Sequence, residues 1–196
     1  MIIACLGDSI TAGSPLWDPD AKVRRRIEDP DERSQWVWWA MRRHGEIELR
    51  NFGVYGERTD EIAKRFEQAI EGVEAIVVQG GINDVVQGRP VEQAAANLAG
   101  MLHRARHKGL RVALVDVLPW NNGDSRAAAD IDKLNGLIRA IADGQSVPLF
   151  PFHQTLADPA RPTRMREDLT DDGDHPSVEG HRLLGERAFR LPPLDV

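Results

Sequence analysis

The sequence predicts an α/β fold with a doubly wound, five-stranded parallel sheet and helices on both faces, of the flavodoxin-like kind. Apolar runs that predict strands lie at about residues 2–6, 47–52, 75–79, 110–117 and 147–150. Most are continuous rather than alternating, which is typical of strands covered on both faces. Helical stretches separate them, and such alternation favours parallel strands joined by crossovers. Repeats and linker-like composition are lacking, so we expect one domain over residues 1–196.

The helices are predicted from their end signals. Ser34 can cap a helix reaching about residue 44, and Pro90 opens one that Gly109 ends. Further helices are expected at about 60–70, 126–142 and from 177 onwards. Two polar, proline-bearing segments, 14–33 and 153–173, are expected to be long loops. Pro148 makes the last strand an edge strand, since proline cannot donate to a central ladder.

Composition and charge limit the functional classes to which the protein can belong. The chain has 196 residues, 41% hydrophobic and 29% charged, with net charge −6. This balance predicts a globular protein without the basic surface that nucleic acids or anionic membranes require. No apolar run approaches a membrane span, and the N-terminus lacks the basic region of a signal peptide, so we expect a cytoplasmic protein. The sequence leaves the oligomeric state open.

Neither a disulfide, a metal nor a cofactor is expected. Cys5 is the single cysteine and is predicted to be a small buried hydrophobe. His103 and His107 have the i, i+4 spacing of metal ligands on a helix, but no acidic residue accompanies them. A surface pair is the favoured interpretation.

A serine follows the first predicted strand in the stretch Gly7-Asp8-Ser9-Ile10. This places its hydroxyl at the carboxyl edge of the sheet, where open α/β folds bind their ligands. Thr11 stands where the G-x-S-x-G elbow of α/β-hydrolases has its second glycine, which argues against that fold.

Three further stretches lie after strands or before a helix: residues 51–56 (NFGVYG), 80–84 (GGIND) and 171–176 (DDGDHP). Together with residues 7–10, and in this order, they resemble the GDSL esterases of the SGNH hydrolase superfamily. The resemblance spans Gly7 to Pro176, and the one visible departure is Ile10, where the family name has leucine. It implies an ester hydrolase that needs no cofactor.

The resemblance also implies roles by position. Ser9 would be the nucleophile, His175 its base, and Asp172 the carboxylate that orients the imidazole. The backbone N–H groups of Ser9 and Gly56 and the side-chain amide of Asn83 would form the oxyanion hole. These residue types suit acyl transfer, because a serine hydroxyl needs a neighbouring base and the developing oxyanion needs preorganised donors.

The predicted pocket walls are the two long loops and residues 119–124, with Trp17, Trp120 and Asn121 as candidate substrate contacts. Polar and aromatic walls favour small or carbohydrate-linked acyl groups over lipid tails. The leading hypothesis is therefore a serine esterase acting on a small-molecule, acetyl-type ester.

Several alternatives remain open from the sequence. An acyltransferase, a lysophospholipase or a thioesterase would use the same residues. A non-catalytic binding module on the same fold is less favoured. A metal-dependent phosphohydrolase would instead use a set of aspartates as ligands: Asp8, Asp84, Asp171, Asp172 and Asp174.

Overall fold

The computed structural model describes residues 1–191 and contains a five-stranded parallel sheet. The strand order is β2-β1-β3-β4-β5, and every neighbouring pair is parallel, which confirms the predicted α/β class. The strands are β1 (Ile2–Gly7), β2 (Glu48–Gly53), β3 (Ala75–Val78), β4 (Arg111–Val115) and β5 (Leu149–Phe150).

The two faces of the sheet carry separate apolar layers. Along β1, Ala4 and Leu6 join one buried cluster while Ile3 and Cys5 join the other, as the period of two in a strand requires. All four side chains are fully buried, which explains the continuous apolar run. Cys5 is a free, buried thiol, as expected.

Ten α-helices connect and cover the strands in the described residues. They are α1 (Ser9–Ala12), α2 (Ala21–Arg24), α3 (Trp36–Arg43), α4 (Thr59–Lys64), α5 (Phe66–Ala69), α6 (Ile82–Val86), α7 (Val91–His107), α8 (Ser125–Gln145), α9 (Phe152–Leu156) and α10 (Val178–Leu183). Short 3₁₀ turns lie at Glu32–Ser34 and Glu167–Leu169, and α10 continues as a π-helix over Leu184–Ala188. None of the helices within residues 1–191 has the length and apolar character needed to cross a membrane.

The predicted helix at 60–70 is broken in two at Arg65. The backbone of Arg65 has φ −90° and ψ 0°, and its N–H bonds to the carbonyl of Ile62 three residues back. Its side chain turns away from the helices and donates to carbonyls at the ends of β1 and β2. Apolar periodicity carries no trace of such a contact.

The segment 153–173 is not simply a loop, contrary to the prediction. It contains most of α9 and an antiparallel hairpin of β6 (Ala157–Asp158) and β7 (Arg161–Met165). Four of the five β7 residues are exposed, so the strand lacks the apolar alternation that predicts strands. The segment 14–33 likewise contains α2.

The fold places a crevice between the carboxyl ends of β1 and β3. From β1 the chain passes outward to β2 and then back across to β3, so the winding reverses at this point. Open α/β sheets bind ligands at such reversals. Ser9 follows β1 and Asn83 follows β3, so both lie beside this crevice.

Candidate active site

The turn from β1 into α1 presents Ser9. Asp8 caps α1, because its Oδ1 accepts the backbone N–H of Ile10 at 3.0 Å. Gly7 is required here, since a Cβ would lie 2.4 Å from Oε1 of Gln79. That oxygen accepts hydrogen bonds from the Asp8 backbone at 3.2 Å and the Thr11 hydroxyl at 2.8 Å, so the residue that follows β3 holds the turn.

Ser9, His175 and Asp172 form a continuous hydrogen-bonded chain. The Oγ of Ser9 lies 3.2 Å from Nε2 of His175, and Nδ1 of the same ring lies 2.8 Å from Oδ2 of Asp172. With the proton on Nδ1, the imidazole donates to the carboxylate and can accept the serine proton at Nε2. The arrangement can therefore activate a serine hydroxyl as a nucleophile.

The carboxylate of Asp172 is held in place by its own turn. Its Oδ1 accepts the backbone N–H groups of Asp174 at 2.8 Å and His175 at 2.7 Å. Burial acts to raise the pKa of Asp172, but the hydrogen bonds from the His175 ring and from these backbone groups outweigh it and lower that pKa. Asp172 is thus kept ionised, which favours the tautomer with the proton on Nδ1.

The oxyanion candidates Gly56 and Asn83 approach from β2 and β3. Gly56 has φ +78°, a left-handed conformation that favours glycine. Asn83, in the first turn of α6, donates through Nδ2 to the carbonyl of Glu57 at 2.9 Å. An amide nitrogen carries two hydrogens, so this bond holds the side chain and leaves the second hydrogen for another acceptor.

The three predicted pocket residues make different contacts. Trp120 donates through Nε1 to Oδ1 of Asp174 at 2.5 Å, which brings it against the turn that carries His175. The amide of Asn121 pairs with the backbone of Met165 at 2.7 and 3.1 Å, so it pins the β6–β7 hairpin instead of facing outward. The Trp17 ring packs against the guanidinium of Arg24, 4.5 Å from the ring centre.

Two neighbours of the triad were not identified from the sequence. Tyr55 is 64% exposed, and its ring lies over that of His175 with 6.1 Å between centroids and 30° between the ring planes. Asn122 donates to the carbonyl of Asp172 at 2.9 Å and to Oδ1 of Asp174 at 2.7 Å. A tyrosine next to Gly56 was a usable signal, whereas Asn122 resembled any turn residue.

Four of the five aspartates of the phosphohydrolase hypothesis, Asp8, Asp84, Asp172 and Asp174, accept hydrogen bonds from protein donors. Asp84 accepts the backbone N–H and the hydroxyl of Thr59, both at 2.9 Å, while Asp8 caps α1 and Asp172 holds His175. Within residues 1–191, no group of three or more His, Cys, Asp or Glu side chains is placed to hold a metal ion. The arrangement therefore supports serine chemistry better than metal chemistry.

A cavity of about 470 Å³ lies elsewhere, between α8 and the β6–β7 hairpin. Its walls include Ile131, His153 and Thr163, and none of the triad residues lines it. The hydrogen-bonded triad, rather than cavity size, identifies the candidate site, because chemistry depends on the geometry of reacting groups.

Three solved structures illustrate the similarity of the fold. A member of the lipolytic protein G-D-S-L family from Veillonella parvula DSM 2008 has a TM-score of 0.76 at 23% identity, covering 94% of each chain. TesA has a TM-score of 0.72 at 23% identity, covering 95% of each chain. A catalytic mutant of Axe2, an acetylxylan esterase from Geobacillus stearothermophilus, has a TM-score of 0.73 at 18% identity, covering 95% of this chain and 91% of that one.

Sequence comparison identifies the family. No curated protein shows a significant match to the chain. The model of the GDSL-like lipase/acylhydrolase family, however, matches residues 5–183, which include all four stretches that carry the resemblance. The predicted resemblance is confirmed, and the chain belongs to the GDSL-like lipase/acylhydrolase family.

Proposed function

We propose that this hydrolase is a serine esterase that cleaves small acyl esters through an acyl-serine intermediate. The family makes it a hydrolase of ester bonds. The observation that carries the serine mechanism is the hydrogen-bonded chain from Ser9 through His175 to Asp172, with distances of 3.2 and 2.8 Å. These are hydrogen-bonding distances between a nucleophile, its base and the group that orients the base.

The first half of the reaction forms the acyl-enzyme. The Ser9 oxygen attacks the ester carbonyl while Nε2 of His175 takes the hydroxyl proton. The carbonyl oxygen becomes an oxyanion, which accepts from Asn83 and from the backbone N–H groups of Ser9 and Gly56. The tetrahedral intermediate then collapses: the ester C–O bond breaks, and the alcohol leaves with the proton from His175.

The second half repeats these steps with water. His175 takes a proton from water, and the resulting hydroxide oxygen bonds to the acyl carbon. Collapse breaks the bond between the acyl carbon and the Ser9 oxygen, releases the carboxylic acid, and returns the proton from His175 to Ser9. Asp172 stabilises the imidazolium in both halves without taking a proton itself.

Small acyl groups are supported by the surroundings of the triad. Next to His175 lie the carboxylate of Asp174, the amide of Asn122 and the indole N–H of Trp120, which form a polar network. A long acyl chain would need a continuous apolar wall to gain about 0.8 kcal/mol per buried CH₂. The fold shared with an acetylxylan esterase is compatible with this assignment.

The experiment combines labelling with a panel of substrates. We expect a fluorophosphonate to label the wild-type protein once, at Ser9, by mass spectrometry of its peptides. Ser9→Ala should lose at least about 10³-fold in kcat for p-nitrophenyl acetate, because nothing else in the site can form the acyl-enzyme. Ser125→Ala, which removes an exposed hydroxyl at the start of α8, is the matched control and should keep normal turnover.

Chain length is tested with p-nitrophenyl acetate, butyrate, octanoate and palmitate. Acetate and butyrate should have the highest kcat/KM. Faster turnover of palmitate would refute the small-acyl assignment but leave the serine mechanism standing. Normal activity of Ser9→Ala, or labelling at another residue, would refute the mechanism itself.

A further inference from the structure

One arginine outside the triad links the segments that carry the oxyanion donors. The guanidinium of Arg65 donates to the carbonyl of Phe52 at 2.9 Å and to that of Gly7 at 3.2 Å. It also makes a two-pronged ion pair with Glu57, with Nε–Oε2 at 2.8 Å and a second nitrogen at 2.6 Å from the same oxygen. The side chains are 23% and 19% exposed, so water screens the pair only in part.

The three residues that Arg65 contacts all adjoin segments that carry the expected oxyanion donors. Gly7 immediately precedes the Asp8–Ser9 turn, and Phe52 lies near the end of β2, where the chain enters the Gly56 turn. Glu57 directly follows Gly56, and its carbonyl accepts the side-chain amide of Asn83 at 2.9 Å. Each of the three expected donors therefore lies at most two residues along the chain, or one hydrogen bond, from a residue that the guanidinium contacts.

The Gly56 turn is open to solvent on one face. A Cβ at Gly56 would have no atom within 4 Å, so this face of the turn is unpacked. The preceding residues Val54 and Tyr55 are exposed. Apart from Arg65, the described contacts that hold the turn include backbone bonds from Val54 to Gly7 at 3.0 Å and from Glu57 to Val54 at 3.4 Å, of which the second is long. The Asn83 bond to the Glu57 carbonyl and the contact of the Tyr55 ring with that of His175 add to them.

We propose that Arg65, acting with Glu57, is a positioning residue for the oxyanion hole. This inference rests on the proposed serine mechanism. Oxyanion donors accelerate the reaction only when they are preorganised at the place where charge develops, and an error of about 1 Å costs on the order of 10²-fold. Arg65 sets the distance between the Ser9 and Gly56 segments, and Glu57 transmits the same restraint to Asn83.

The chemistry requires arginine rather than any cation. Two carbonyls and a carboxylate lie around one planar group, and the guanidinium has five N–H donors in a fixed fork. An ammonium group keeps the charge but has three donors on one atom, which cannot span the same points. Arg65→Lys therefore removes the geometry while it preserves the charge.

The test uses Arg65→Lys and Glu57→Gln in the full chain, assayed with p-nitrophenyl acetate. Both variants should lose about 10- to 100-fold in kcat with KM changed less than about twofold, because the donors act on the transition state. Inactivation by the fluorophosphonate should slow by a similar factor. In an Asn83→Ala background, Arg65→Lys should lower kcat by a smaller factor than it does in the wild-type protein. The reason is that one of the groups that Arg65 positions is then absent.

Arg104→Lys is the matched control. Arg104 also touches a carbonyl and a carboxylate, those of Ala63 at 3.3 Å and Glu67 at 3.6 Å, but it lies away from the strand ends. Its lysine variant should keep the wild-type kcat even where its melting temperature falls. Glu57→Gln keeps the test valid if Arg65→Lys does not fold, because it retains the backbone carbonyl that Asn83 contacts.

The outcomes separate the two proposals. A wild-type protein that is active and labelled at Ser9, with variants that keep kcat, would overturn the role of Arg65 alone. A fall in kcat equal to that of Arg104→Lys would also overturn it, since the effect would then be structural. A wild-type protein that is not labelled at Ser9 would overturn the serine mechanism on which the inference rests.

Discussion

Replacing Asp8 by asparagine should raise the stability of the protein relative to wild type progressively as the pH rises. The Asp8 side chain is fully buried, and its Oδ2 has no hydrogen-bond partner among the described residues. Burial raises the pKa of Asp8 to about 6, against an ordinary value of 3.8, although the Ile10 N–H and the charge of His175 oppose the shift. The folded state thus holds this proton more tightly than the unfolded chain does.

The sign and size of the effect follow from that difference. Between the unfolded and folded pKa values the unfolded chain ionises first, so ionisation favours unfolding and stability falls as pH rises. A difference of about 2 pKa units amounts to about 3 kcal/mol once both states are ionised, and little of it is present at pH 4. The asparagine side chain of the variant is neutral at every pH and can cap α1 similarly. Any cost of exchanging a carboxyl for an amide at this buried position therefore shifts stability without a pH dependence.

Urea denaturation of wild type and Asp8→Asn at pH 4, 5, 6, 7 and 8 measures the effect. The stability of the variant relative to wild type should rise by roughly 2–3 kcal/mol from pH 4 to pH 8, with most of the change below pH 7. Buried Asp116, whose pKa burial also raises to about 6, is present in both proteins and cancels. A difference that stays constant with pH would refute the reasoning.

Asp168→Asn is the control of opposite sign. The side chain of Asp168 is exposed, and its hydrogen bonds with Arg166 lower its pKa. Its contribution to stability is present at neutral pH and is lost as pH falls through the lowered pKa, so the variant should be the less stable protein at pH 7. A gain in relative stability with rising pH, like that of Asp8→Asn, would point to a general charge effect instead.

Two further substitutions test groups around the triad. Asn83→Ala should lower kcat by about 10²–10³-fold with little change in KM, because the amide acts mainly on the oxyanion; an effect confined to KM in steady-state assays would contradict this. Asn122→Ala removes the bonds to the carbonyl of Asp172 and the carboxylate of Asp174, and should lower kcat by about tenfold through a misplaced imidazole. An unchanged kcat in the same assay would show that the turn holds His175 unaided.

The sequence was sufficient to predict the parts of the fold that depend on local pattern. Apolar runs, most of them continuous, predicted all five strands of the parallel sheet, because burial on both faces leaves few polar positions in a strand. The α4–α5 break and the β6–β7 hairpin were not predictable in this way. The break accompanies a long-range contact of Arg65, and the hairpin is polar and exposed.

The candidate site likewise has parts that the sequence predicted and parts that it did not. The resemblance to the GDSL esterases, carried by four short stretches in order, pointed to Ser9, Asn83 and the Asp172–His175 pair. The hydrogen bond between Ser9 and His175 joins residues 166 positions apart, and only the folded chain shows that the two atoms meet.

What only the tertiary structure decided is how those groups are held. Asn122 and Arg65 lie in ordinary sequence surroundings, and each acts on backbone atoms of a segment distant in sequence. The sequence alone determined which chemical groups are present and that several of them follow strands, at the carboxyl edge of the sheet. Their distances depend on how the strand ends and turns pack together, and local preferences carry no information about that packing.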